Sequence, residues 1–115
     1  MLVDGVVLIP AEVPPFRSAT VRVRLLDVSL ADAPSTVLAE QTVLNVGRPA
    51  QQEQAVPFTL QADLPTDWRG TLVVSSHVDV VGDGAVHPGD CVTTRSYPVP
   101  PEGGGGYVVR CEQVR

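Results

Sequence analysis

Apolar residues recur along this chain with a period of two, in short runs separated by Pro, Gly and Asp. In residues 19–30, Val21, Val23 and Leu25 alternate with Arg22 and Arg24, giving one apolar and one charged face. The phase slips at Leu25-Leu26, after which Leu26, Val28 and Leu30 alternate with Asp27 and Ser29. A slip inside a β-rich run predicts a bulge that re-aims the side chains. The corner 31–35 has turn chemistry in Asp32 and Pro34, and a second strand is expected over 36–46. Arg22 and Arg24 read as a solvated face, set against Glu40 across this hairpin, with an acidic partner peptide as the alternative.

Further strands are predicted on either side. Residues 3–9 form a nearly continuous apolar run ended by Pro10, consistent with cover on both faces. Residues 47–54 are polar and Pro-containing, and read as a loop. Val56, Phe58, Leu60 and Ala62 mark a half-buried strand, and Trp68, in the loop after it, is expected to plug the rim of the core. Residues 71–81 alternate strongly, with Leu72, Val74, Ser76, Val78 and Val80 sharing a face. Strands over 92–99 and 107–114 follow, separated by Pro residues and the Gly run 103–106, which reads as flexible. That run is no nucleotide loop, because neither Lys-Ser/Thr nor a helix follows it. The pattern predicts an all-β fold: a single-domain antiparallel β-sandwich of about seven short strands over residues 1–115.

The 25–34 stretch LLDVSLADAP, followed by Val37-Leu38-Ala39-Glu40-Gln41-Thr42, resembles the signature of the YbaY/YscW-type lipoprotein family. The likeness continues more loosely through Val56-Pro57-Phe58 and Ser96-Tyr97-Pro98-Val99. That family includes pilot lipoproteins that chaperone the outer-membrane secretin of type III secretion systems. The resemblance implies a small β-sandwich, no enzymatic activity, and a protein partner in the periplasm or at the outer membrane. The opening residues 1–5 depart from exported lipoproteins: they carry no basic n-region, no long apolar run and no Cys for lipidation. Either a signal has been removed ahead of residue 1, or this member is not exported that way, with a cytoplasmic location as the alternative.

Composition narrows the function classes. Val fills about one position in five, and only 4% of residues are aromatic, which suits pleated surfaces rather than long helices. The formal charge is −5, and all eight basic residues are Arg. No basic stripe marks a nucleic-acid partner, and no Lys offers a Schiff-base nucleophile. No segment reaches the ~18 consecutive apolar residues of a membrane span.

The densest chemistry lies in residues 79–90, DVVGDGAVHPGD. Set against a calcium-binding EF-hand loop, Asp79 takes the first ligand position, Asp83 the fifth and Gly84 the obligatory turn. The carbonyl of Ala85 takes the seventh position, His87 the ninth and Asp90 the twelfth. Val81 stands where a third carboxylate belongs, and Asp90 is shorter than the usual Glu, so only a weak calcium site is expected. The competing reading is a hairpin connection with Asp83-Gly84 supplying φ > 0 at its tip. A transition-metal set of His77, His87, Asp79, Asp90 and Cys91 is weaker still, because its members straddle a turn.

Cys91 and Cys111 are the only cysteines. If the last two strands pair as a hairpin, the two come to similar heights, and a cross-strand disulfide suits an oxidising envelope; the alternative is two buried thiols. Ser75 or Ser76 with His77 cannot build a triad, since strand neighbours point to opposite faces, and no GxSxG motif occurs. The function expected is protein–protein contact by a pilot-like or chaperone-like module. A small calcium- or ligand-binding domain using residues 79–90 is the alternative, and a purely structural domain the third reading.

Overall fold

The computed structural model describes residues 1–29, 33–48 and 52–115. The turn expected at 31–35 lies partly outside these residues, as does part of the loop expected at 47–54. Eight strands run in order: β1 (Leu2–Ile9), β2 (Phe16–Asp27), β3 (Thr36–Arg48), β4 (Gln54–Gln61), β5 (Leu72–Asp79), β6 (Cys91–Thr93), β7 (Pro98–Val99) and β8 (Gly103–Gln113). They form one sheet in the order β3-β2-β5-β6-β8-β1-β4, with β7 also pairing β5. The sheet curls until its edge strands β3 and β4 approach: the Thr59 amide donates to Gln41 Oε1 at 2.6 Å. The result is a nearly closed barrel.

The all-β class follows from the alternation. Ala19, Val21, Val23 and Leu25 on β2 point inward, as do Leu72, Val74 and Val78 on β5 and Val56, Phe58 and Leu60 on β4. Val3, Val7 and Ile9 of β1 join them, and Trp68 packs against this cluster from its rim. Removing this apolar surface from water is the main force holding the barrel closed. The register of β2 against β3 shifts between Leu25 and Leu26, where the sequence phase slips. Arg24 faces Glu40 across the same pair and forms an ion pair with it.

The arrangement corrects the expected antiparallel two-sheet sandwich of about seven strands: eight strands form a single curled sheet, and one pair in it is parallel. β1 and β8 run parallel, from Leu2 beside Gly103 to Leu8 beside Arg110, while every other strand pair is antiparallel. Alternation reports which face is buried and carries no strand direction, so a parallel seam between the first and last strands is invisible to it. β8 then leaves β1, and its residues Cys111, Glu112 and Gln113 pair with Thr93, Val92 and Cys91 of β6.

Two expected elements change form. The strand expected over 92–99 is broken into β6 and β7. Between them, Thr93 Oγ1 accepts the Ser76 amide at 2.8 Å and the Tyr97 carbonyl accepts that of Val74 at 3.0 Å. A hydroxyl thus replaces a ladder carbonyl, and the chain can bulge outward without orphaning β5 donors. The Gly run 103–106 is the start of β8 rather than a flexible loop. Gly103 has φ +85°, and a Cβ there would sit 2.3 Å from the Leu2 carbonyl oxygen. Glycine is what lets the two backbones meet.

Candidate functional site

The connection from β5 to β6 is closed by its own two end residues. Asp79 is fully buried at the end of β5. Its Oδ1 accepts the Gly82 amide at 2.7 Å. Its Oδ2 accepts the Gly84 amide at 2.7 Å and Arg22 Nη1 at 2.6 Å. Asp90, buried just before β6, accepts the Val80 amide on Oδ1 at 3.0 Å. Its Oδ2 lies 2.8 Å from His77 Nε2 and accepts the His87 amide at 3.1 Å. Gly82, Gly84 and Gly89 all take positive φ, which lets the amides turn inward.

Burial alone would push the Asp79 carboxyl up. Arg22 and the Gly82 and Gly84 amides outweigh burial, with His77 adding to them, and lower it from 3.8 to about 2. Asp79 therefore stays charged at neutral pH. At the loop tip, Asp83 Oδ2 lies 2.7 Å from His87 Nε2 and Asp83 Oδ1 accepts the Ala85 amide at 3.0 Å. The exposed pair shifts mutually: His87 holds the Asp83 carboxyl below its usual range, and Asp83 raises the His87 imidazole.

The geometry shows how the residues of the calcium reading are engaged. Of the five expected ligands, Asp79 and Asp90 come together, joined by His77, with one ligand atom of each within 4.8 Å of the others. Asp83 and His87 instead engage each other at the surface. All six carboxylate oxygens of Asp79, Asp83 and Asp90 already face a donor of the protein, and Arg22 brings a positive charge into the would-be coordination shell. Calcium needs six to eight oxygens free to turn toward it. In this structure amides and a guanidinium engage those oxygens, and residues 79–90 join the paired antiparallel strands β5 and β6. Melting curves of metal-stripped protein with millimolar calcium, magnesium or chelator are accordingly expected to coincide at fixed ionic strength. A calcium-specific rise lost in Asp83→Ala would contradict this.

Cys91 and Cys111 are both buried and are free thiols in this structure. The register sets them two residues apart: Cys91 faces Gln113, and Cys111 faces Thr93. Such diagonal neighbours lie about 7–8 Å apart, at or beyond the Cα reach of a disulfide. Cys111 Sγ lies 3.0 Å from Ser76 Oγ. Burial pushes the Cys91 thiol up to about 12, with Cys111 adding to the rise, and burial raises Cys111 as well. Both thiols are therefore held in the protonated form at neutral pH.

A second feature was not legible in the sequence. Where β8 leaves β1 for β6, the strand ends separate and open a cleft of about 680 Å³. Its lining includes Leu8 of β1, Glu12 in the turn after it and Glu53 just before β4. Arg95 of the β6–β7 connection, Arg110 and Glu112 of β8, and Arg115 border it as well. Leu8, Pro10 and Val13 are its apolar members. The buried Arg48 donates from Nη1 to the Gln52 carbonyl at 2.8 Å and thereby steadies the approach to β4. Only the register of β8 against both β1 and β6 reveals this cleft, and no local sequence signal encodes it.

Comparison with known proteins gives these features a context. Residues 1–91 match the family model described as type III secretion system lipoprotein chaperone (YscW). No curated protein matches the chain. A solved structure described as an alternative pilotin from the type II secretion system of Vibrio cholerae is similar over the whole fold. The TM-score is 0.73 at 28% identity, covering 100% of this chain and 97% of that one. The fold agrees with the family match, and the chain belongs to the YscW family of type III secretion lipoprotein chaperones.

Proposed function

We propose that this protein is a pilot: a chaperone that binds a secretin subunit in the bacterial envelope and accompanies it to the outer membrane. The observation that carries this reading is the full-length likeness to a type II pilotin, joined to a type III chaperone family match over most of the chain. Two secretion systems then share one barrel, and a secretin is the component such a shared module would serve. The work is binding work, and the protein is not an enzyme. Among the described residues, no helix is long and apolar enough to cross a membrane. The periplasmic face of the outer membrane is the location this role requires.

The test is calorimetric titration of the folded protein with the purified secretin subunit encoded by the same genome. A saturable complex of fixed stoichiometry is expected. Heats no greater than dilution, with both proteins folded, would remove the pilot reading.

A further inference from the structure

We propose that the outer face of β4, β1 and β8 is a self-association surface, on which a second copy of this chain packs face to face with its strands reversed. The inference goes beyond the pilot reading and does not depend on it.

The register of the three strands builds the face. Val6 of β1 lies between Val108 of β8 and Pro57 of β4. Their neighbours Val7, Val109 and Val56 are buried in the core, so Val6, Val108 and Pro57 point outward. They form one apolar row across the sheet, in which Val108 is 45% exposed. The next outward row sets Leu8 between Arg110 and Ala55. On the other side of the apolar row stands Asp4, opposite Thr59. Asp4 leans over β8: its Oδ1 accepts the Gly106 amide at 3.2 Å, and a Cβ on Gly105 would lie 2.7 Å from that oxygen. A carboxylate therefore lies over β8 on one side of the apolar row, and the exposed Arg110 projects from β8 on the other. Neither belongs to an ion pair: those among the described residues are Arg22–Asp79, Arg24–Glu40, His77–Asp90 and His87–Asp83.

A face shared by two copies must be its own complement. A two-fold axis lying in the face along the Val6 row reverses the strands and keeps β8 over β8. Val6, Val108 and Pro57 of one copy then meet the same residues of the other. Asp4 and Arg110 each stand two residues, about 6–7 Å, from that axis, so each carboxylate comes over the other copy's guanidinium. Packed sheets lie about 10 Å apart, a gap that an extended arginine spans. Glu112, the next outward residue of β8, falls over the Leu2–Gly103 row, which carries no charge. The outward residues of β4, Ala55, Pro57, Thr59 and Gln61, are uncharged and oppose nothing. With the strands parallel instead, Asp4 would meet Asp4 and Arg110 would meet Arg110, so charge selects the reversed arrangement. Three strands make a face smaller than the ~800 Å² per partner of a standard interface, and a dissociation constant on the order of 100 μM is expected.

The experiment is sedimentation equilibrium of the full chain from about 10 μM to about 1 mM, a span that brackets this constant. A monomer–dimer equilibrium is expected. Asp4→Arg alone and Arg110→Asp alone should each weaken it by about tenfold or more at low salt, with the loss shrinking as salt rises. An equimolar mixture of the two variants should associate again, because two arginines of one chain then face two aspartates of the other. Both substitutions in one chain should likewise restore the homodimer. Damage to the fold cannot produce either recovery. A wild-type monomer at every concentration would overturn the proposal, as would a dimer that neither reversal weakens. A monomer whose binding to the secretin subunit is weakened by the reversals would give the face to that partner and overturn it too. Each of these leaves the pilot reading standing.

Discussion

Asp79→Ala is expected to be the most damaging single substitution in the chain, lowering stability by about 3–5 kcal/mol. The side chain is fully buried and accepts three hydrogen bonds, from Arg22, Gly82 and Gly84. Removing it strands the Arg22 guanidinium, whose side chain is 18% exposed, beside two inward amides with no acceptor. Asp79→Asn keeps the volume and one acceptor oxygen, so it should cost less, and the difference between the two variants isolates the charge. Acid should reproduce that charge effect in the wild type. The folded carboxyl titrates at about 2, below its ordinary 3.8. A depressed carboxylate stabilises fully above its unfolded value and loses that contribution as pH falls through the folded one. Stability referenced to Asp79→Asn should therefore decline between pH 4 and pH 2, by on the order of 2 kcal/mol. Urea unfolding across that range measures it, and parallel curves for the two proteins would contradict the assignment.

The second large effect is expected at Gly5. β1 and β8 approach so closely there that a Cβ on residue 5 would lie 2.1 Å from the Tyr107 carbonyl oxygen and 2.8 Å from its carbon. The register of the parallel seam already skips between Val3 and Gly5, and the Gly106 amide donates to Asp4 Oδ1 at 3.2 Å across the irregularity. Gly5→Ala must push one backbone away from the other, because the obstruction is main chain and cannot rotate aside. A loss of about 3 kcal/mol or more is expected, at the severe end for overpacking. Gly84→Ala is the control. That glycine has φ +86° with nothing within 4 Å, so only the left-handed backbone penalty of about 1–2 kcal/mol applies. Equal midpoints for the two variants in denaturant would show that the β1–β8 contact is looser than described.

These two sites mark the boundary of what local pattern reveals. The bulge at Leu25-Leu26, the Arg24–Glu40 pair and the rim position of Trp68 all follow from alternation and short-range pairing, and each occurs as the pattern implies. Asp79 was different. Its alternation within residues 71–81 opposes it to the apolar face, and acidic side chains are seldom fully buried. What buries it is Arg22, 57 residues away, together with amides that turn inward only once the loop has closed. The parallel seam and the cleft depend likewise on β8 reaching back to β1, across nearly the whole chain. Such long-range pairings leave no periodic trace. The EF-hand-like spacing of residues 79–90 is the converse case. The same Asp and Gly residues that a metal loop needs also build a hairpin in which carboxylates accept backbone amides, and here Arg22 joins those amides on Asp79.

The proposal that this barrel is a pilot turns on whether secretin assembly depends on it. The most direct measurement is the amount of assembled secretin in the outer-membrane fraction of cells lacking this protein, with and without complementation by the wild type. The account predicts that secretin is lost from that fraction without the protein and returns with the wild type. Secretin reaching the outer membrane in equal amounts with and without the protein would contradict it.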